Sequence, residues 1–415
     1  MENSLNILKA REERIHIIES LISEYNIVLA KVNMFGENKN NNFAKSILGI
    51  LIRYLENDDF FSFVKYNYYE SDDGPFIIYK FPLSVLNIKE KCIELEEKLP
   101  YGRLIDLDCF INSCESINRI HKRKCIICDD YAYNCIRNKK HIKSELINKY
   151  KELSINSFID LIEKAYLFST KKELELDPKF GCVTIKTNGS HKDLNYDLMI
   201  KCVNLLKSYF IDMFKVGFLS SNDYFSKINK IGRIAEKDMF DTIGTNCYKG
   251  LIFILGIIIT SMGIYLSSFD SISFKDSINE VIKDIDFEIK NDSFGYYAYK
   301  ELGFGGIRKE TKESFPTIEK YINTFDINDD KSIYRLFINI ILSTDDTVLL
   351  KRSGSIEKYN YYKELIRNLD INNLDDLNRI NQECIDNLIS FGGSCDILIA
   401  TLFIKYIMNF ISIKE

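Results

Sequence analysis

Tryptophan is absent and proline is scarce, with five residues in a chain of 415. Proline-rich linkers and tracts are thereby excluded, and no internal repeat or low-complexity stretch stands out beyond the asparagine run at Asn38–Asn42. A long block of one charge is also missing: 55 Lys and Arg are interspersed with 60 Asp and Glu, for a net −5. Bulk attraction to nucleic acid or to an anionic membrane is not expected from such a balance. The opening segment MENSLNILKAREERIHIIES lacks the apolar stretch of a secretory signal, and eleven cysteines make an odd number for a disulfide framework. A reducing cytoplasm is the expected setting. The abundance of Ile, Asn, Lys and Tyr carries no functional meaning by itself.

What is present is enough apolar material, 46% of the chain, for two buried cores. The first 115 residues alternate between helical and extended patterns. A helix is expected over Ser4–Tyr25, a strand over Asn26–Met34 and a helix over Phe43–Leu55. A β-hairpin follows, in which FFSFVKYNYYE and GPFIIYKF flank an SDDG turn, then a helix near Val85–Leu99 and a strand over Arg103–Ile111. This predicts an α+β domain, a mixed sheet with helices, over residues 1–152. Beyond His141 the apolar spacing settles near 3.6, as in Tyr196–Phe214, Tyr224–Phe240 and Ile371–Leu388, which predicts a larger all-α domain over 153–415. The run Leu251–Ser268 approaches the length of a membrane span. Its position after the polar NCYKG and among amphipathic helices reads instead as a buried central helix.

In GRLIDLDCF, Asp106 and Asp108 stand two apart on a strand, so both carboxylates project from one face and can hold Mg²⁺ for phosphoryl or nucleotidyl transfer. The same spacing also describes the polar face of an edge strand. Cys125, Cys128, Cys135 and His141 offer the four ligands of a closed Zn²⁺ site, or else buried thiols beside a surface histidine. Around them Arg123, Lys124, Arg137, Lys139 and Lys140 form a basic patch suited to an anionic ligand or an acidic carrier protein.

Four ordered segments, A-R-E-x-R (Ala10–Arg14), V-N-x-x-G-x-x-K (Val32–Lys39), G-R-L-x-D-x-D (Gly102–Asp108) and the Cys/His series, resemble the apo-citrate-lyase phosphoribosyl-dephospho-coenzyme A transferase family over residues 8–150. The resemblance implies that a serine hydroxyl of the acyl carrier (gamma) subunit of citrate lyase attacks the phosphate nearest the ribose of a triphosphoribosyl donor and expels pyrophosphate. Asp106 and Asp108 would then hold the metal, with Arg103 and Arg11 or Arg14 neutralising the phosphates.

The second half carries Asn188, Gly189, Ser190, His191 and Asp193 before a helix, Glu236 on a helix, and Asn246, Lys249 and Gly250 ahead of the apolar run. Gly306, Arg308 and Glu310 lie in a Gly-rich loop, and Asp396 starts the last apolar helix. Taken singly, each group also suits a helix cap or an ordinary turn. In order, they resemble the triphosphoribosyl-dephospho-coenzyme A synthase family over residues 170–412, which implies an all-helical domain that joins ATP to 3′-dephospho-coenzyme A and releases adenine. Glu236, Asp193 or Glu310 would serve as metal ligand or base, and Lys249 and Arg308 as phosphate partners. The remaining named residues would line the substrate site.

Three departures from that family's pattern stand out. TIGTNCYKG has Cys247 and Tyr248 where Thr and His are expected, Gly305–Arg308 replaces Arg-Gly-Ala-Arg, and Asp346-Thr347-Val348 replaces D-T-N. Two other readings are therefore distinguished: a working transferase with a degenerate, donor-binding second domain, and a non-enzymatic zinc-stabilised binding module.

Overall fold

The computed structural model describes residues 2–288 and 293–412. They form two compact units. The first runs through Asp160 and takes in Ile264–Ser273 and the chain from Met408 on; the second comprises Leu161–Gly263 and Phe274–Ile407. The division at Asp160 falls inside one long helix, Lys143–Glu175, which is why no linker composition marks it.

In the first unit, strands β1 (Tyr25–Val32), β2 (Lys65–Tyr69), β3 (Phe76–Pro82) and β4 (Ile105–Phe110) form one sheet in the order β2-β3-β1-β4. All three pairings are antiparallel. The sheet is therefore not mixed in its pairing, although the two helical crossovers invite that expectation. Each crossover does return the chain in a parallel direction, but to the strand two places away, and an antiparallel strand fills the gap. With helices Asn42–Leu55 and Ile88–Lys98 as the crossovers, this is the β-α-β-β-α-β arrangement of ferredoxin-like folds.

The alternation of each strand assigns the two sheet faces. Val28, Ala30, Ile77, Tyr79, Leu107 and Cys109 are all buried on the face covered by the crossover helices. On the opposite face Ile27, Leu29, Phe76 and Ile78 pack with Ile18 of the N-terminal helix Glu2–Leu21. That helix covers only part of its face, and the sheet continues past it to Lys31, Asp106 and Asp108, which are half-buried.

Among its described residues, every regular element of the second unit is a helix. Lys249–Leu266 and Gly392–Ile411 are long and apolar enough to span a membrane by composition, but most of each is buried within the protein. Lys249–Leu266 crosses Tyr196–Leu219 so closely that a Cβ at Gly217 would lie 1.9 Å from the Thr260 carbonyl oxygen. Only glycine permits that approach.

Candidate active sites

Neighbouring strands place residues in cross-strand rows, and one such row in the first unit holds much of its chemistry. Phe76, Lys31 and Asp106 are direct partners across β3, β1 and β4. Lys31 Nζ donates to Asp108 Oδ2 at 2.9 Å and lies 3.5 Å from Asp106 Oδ2, so one ammonium serves two carboxylates. Arg123 approaches Asp106 from the other side at 3.8 Å and donates to the Ile105 carbonyl at 3.0 Å. Burial and the neighbouring Asp108 carboxylate raise the Asp106 pKa, against the pull of Lys31 and Arg123. Two carboxylates side by side on one sheet face offer the oxygen donors that a divalent cation takes.

At the other end of the row the Arg14 guanidinium lies over the Phe76 ring, 5.4 Å from its centroid. Arg14, Arg11 and Lys39 converge on Asp73 of the hairpin turn, with contacts of 2.9, 3.1 and 2.7 Å. Burial alone would push the Asp73 carboxyl up, but hydrogen bonds from Arg11, Lys39 and Arg14 outweigh it and hold the group well below the usual carboxylate range. Three cations on one anion leave positive charge over, and Nη1 of the buried Arg14 has no hydrogen-bond partner. This corner is suited to phosphate. Arg103 lies at the β4 side and donates to the Lys124 carbonyl, which ties the strand to the Cys/His segment.

The donor atoms of Cys125, Cys128, Cys135 and His141 all lie within 4.8 Å of one another. His141 Nε2 is 3.4 Å from both Cys125 Sγ and Cys128 Sγ, and Cys128 Sγ is 3.5 Å from Cys135 Sγ. Such spacings are close to the edges of a tetrahedron around one ion with bonds of about 2.0–2.3 Å, so the cluster can hold a metal. Glu145 stands 3.9 Å from His141 Nδ1, where it can orient the ring.

In the second unit, loops distant in sequence close on one another in a circuit. Thr245 Oγ1 donates to Asp193 Oδ2 at 2.8 Å. Lys249 pairs with Glu236 at 3.0 Å. A Cβ at Gly250 would lie 2.1 Å from Asp396 Oδ2 and 3.0 Å from Ile307, so this glycine admits the carboxylate to the start of the helix. The Gly305 N–H donates to Asp345 at 3.2 Å, and the adjoining Asp346 accepts from both N–H and Oγ of Ser394. The circuit returns through the Phe391 N–H, which donates to Cys182 Sγ at 3.3 Å.

Arg352 donates to Ser190 Oγ and to His191 Nδ1, both at 3.1 Å. Arginine cannot accept, so His191 is neutral at Nδ1. Burial, then Arg352, lower its pKa to about 4. Gly189 packs beside the Gly181 carbonyl, while Asn188 and Asn246 are exposed. Two expected residues turn to other partners: Arg308 donates to the Phe287 carbonyl at 2.6 Å and lies against Tyr296 and Tyr299, and Glu310 accepts from the hydroxyl and N–H of Thr317.

Sequence reasoning missed the Glu173–Lys179 pair in the interior of this circuit. Lys179 is buried and donates to Glu173 Oε1 at 2.7 Å, while Glu173 Oε2 has no partner. The Tyr248 hydroxyl is buried and equally without a partner. Burial, then Glu173 and Asp346, push the Asp396 carboxyl far up. The available signal was a Glu and a Lys six residues apart, on either side of the end of the helix Lys143–Glu175. Polar atoms enclosed without partners are costly, and they suit a site completed by a bound molecule.

The family of apo-citrate lyase phosphoribosyl-dephospho-CoA transferases matches residues 3–157, and that of ATP:dephospho-CoA triphosphoribosyl transferases matches residues 159–414. A relative from Haemophilus influenzae named Protein CitXG is 28% identical, with 96% of this chain and 94% of the relative covered. A second Protein CitXG, from Leuconostoc mesenteroides subsp. cremoris, is 26% identical over 98% of this chain and 97% of its own. The 2-(5''-triphosphoribosyl)-3'-dephosphocoenzyme-A synthase of Haemophilus ducreyi is 25% identical over 67% of this chain and 98% of its own.

Proposed function

Because the chain belongs to the ATP:dephospho-CoA triphosphoribosyl transferase family and carries the apo-citrate lyase transferase domain ahead of it, we propose that it is a bifunctional enzyme that makes and attaches the prosthetic group of citrate lyase. In the second unit, the 2′-hydroxyl of dephospho-coenzyme A attacks the anomeric carbon of ATP, the bond to adenine breaks, and a proton moves to the departing base. In the first, a serine hydroxyl of the acyl carrier subunit attacks the phosphate nearest the ribose, and pyrophosphate leaves. The observation that carries this reading is convergence: in each unit, motif segments far apart in sequence meet at one place.

In the sheet-face site, Asp106 and Asp108 are the residues to hold Mg²⁺, which would supply charge neutralisation for the transferring phosphate. Lys31 keeps the two carboxylates together, and Arg11, Arg14 and Lys39 receive the pyrophosphate end. In the helical site, Glu236 and Asp193 are available as acceptors for the attacking hydroxyl's proton, Lys249 meets the triphosphate, and Asp396 with Tyr248 faces the departing base. A carboxyl raised by burial and a neutral phenol are both proton donors. The Cys/His cluster holds Zn²⁺ in a structural role, since all four positions are filled by protein ligands. Eleven free thiols suit a cytoplasmic protein.

The test uses the full chain with ATP, dephospho-coenzyme A, Mg²⁺ and apo carrier subunit. Expected are adenine release that depends on dephospho-coenzyme A and a matching mass increase on the carrier. Absence of adenine would sink the synthase half. A carrier unchanged in mass when preformed triphosphoribosyl donor is supplied would sink the transferase half.

A further inference from the structure

The segment Ile117–Lys143 departs from the rest of the chain in charge. It holds eight Lys and Arg against two Asp, within a protein of net −5. Arg119 and Arg123 are engaged with the buried Glu96. The others point outward: Lys122, Lys124, Arg137, Lys139, Lys140 and Lys143 are all exposed.

The segment also displays apolar surface that folding leaves uncovered. Ile120 is 95% exposed and Ile136 78%, with Tyr133 at 50% and Tyr131 at 41%. The two tyrosines are ordered against one another. Tyr131 and Tyr133 stack with centroids 5.9 Å apart, and Lys124 and Lys122 sit over their respective rings, each at 4.8 Å. On the short helix Ala132–Arg137, Tyr133, Ile136 and Arg137 share one face by their i, i+3 and i, i+4 spacing. The Cys/His cluster at the base of the segment gives this surface a fixed shape.

Its place matters as much as its composition. Arg123 reaches Asp106, and Arg103 of the catalytic strand's approach holds the Lys124 carbonyl. The surface therefore adjoins the carboxylates at which an acceptor hydroxyl must arrive. A small anion has no use for exposed tyrosine and isoleucine, whereas an aromatic and aliphatic centre rimmed by charge is how protein surfaces recognise other proteins. The rim is cationic, so the partner it fits is acidic.

We propose that Ile117–Lys143 is the docking surface for the acyl carrier subunit, which meets it with acidic residues around an apolar centre and so delivers its serine to Asp106 and Asp108. The proposal rests on the transferase reading above and adds to it where the carrier binds.

The test measures affinity and transfer separately, using apo carrier subunit and the full chain. Lys122→Glu/Arg137→Glu/Lys139→Glu should raise the carrier Kd and KM at least tenfold at low ionic strength, while kcat at saturating carrier and adenine release from ATP stay within twofold. Ile120→Ser/Ile136→Ser should raise both constants with less dependence on salt. Metal content and thermal unfolding equal to wild type verify that the segment remains folded. An unchanged Kd in both variants overturns the proposal, as does wild-type protein that fails to bind the carrier or binds anionic phosphatidylserine vesicles in its place. Carrier binding that is lost in the variants, without any transfer by wild type, would leave the docking surface standing and refute the transferase reading instead.

Discussion

The two sites solve the problem of gathering charge in opposite ways. On the sheet face, Asp106 and Asp108 lie half-open to solvent, and their charge is met by Lys31 and Arg123 from neighbouring elements. In the helical unit Glu173 lies inside, paired with the buried Lys179, Asp396 is half-buried, and Glu173 Oε2 and the Tyr248 hydroxyl have no partner. A sheet places side chains two apart on a common face, so a short motif suffices to build a site. A helical bundle builds one only by bringing loop ends together, so its site is dispersed in sequence and enclosed. Burial raises the pKa of Asp106 in the first arrangement and of Asp396 in the second, but only the first sets two carboxylates side by side on one face.

The sharpest way to break this comparison is to disable one site and watch the other. If Asp106 holds Mg²⁺ as proposed, Asp106→Asn should lower transfer to the carrier by about a thousandfold, since losing such a ligand removes several kcal/mol of transition-state stabilisation. Adenine release should be unchanged, as read by chromatography of the same reaction. A parallel fall in both activities would mean that the sites are not independent.

Next in size is Lys179→Met, which leaves the Glu173 carboxylate buried and unpaired. A loss of about 3–5 kcal/mol is expected by chemical denaturation. Lys179→Met/Glu173→Gln should recover much of it. Asp106→Asn should cause no comparable loss, since its site is half-exposed.

Gly250→Ala tests whether Asp396 belongs to the helical site. The added methyl meets Asp396 Oδ2 and forces that carboxyl aside. Adenine release should fall roughly tenfold to a hundredfold, while transfer from preformed donor persists. Full retention of adenine release would remove Asp396 from the chemistry.

The smallest effect concerns His191. Burial and Arg352 depress its pKa from 6.5 to about 4. A base with a lower pKa in the folded state binds its proton more readily when unfolded, so this group withdraws stability as pH falls from about 6.5 toward 4 and has no effect above that window. Its ring resonances in an NMR titration should show a midpoint near 4, and Arg352→Leu should move the midpoint upward. A midpoint at 6.5 in the wild type would remove Arg352 as its partner.

Much of the sheet-face site was legible in the sequence. Period-two alternation put Asp106 and Asp108 on one face, the SDDG turn marked the hairpin, and the Cys/His spacing marked four ligands that do lie together. Lys31 and Asp73 were not legible as site residues, because their roles come from strand register and from the turn's position across the sheet. Antiparallel pairing beyond the hairpin escaped notice, since helical crossovers look the same in sequence whether or not a third strand lies between the strands they join. In the second half the long helices were visible from their periodicity, and Asp193, Gly250 and Asp396 were singled out. The Glu173–Lys179 pair was hidden, because burial of a charged residue is decided by what packs over it.

The order of elements, the helical or extended character of each and the set of chemically capable residues follow from local spacing, since backbone geometry fixes periods of two and 3.6. Which cation stands beside which acid, which carboxyl remains protonated and which polar atoms are left without partners depend on elements remote in the chain. Those are properties of distance and burial, and they exist only once the units are packed.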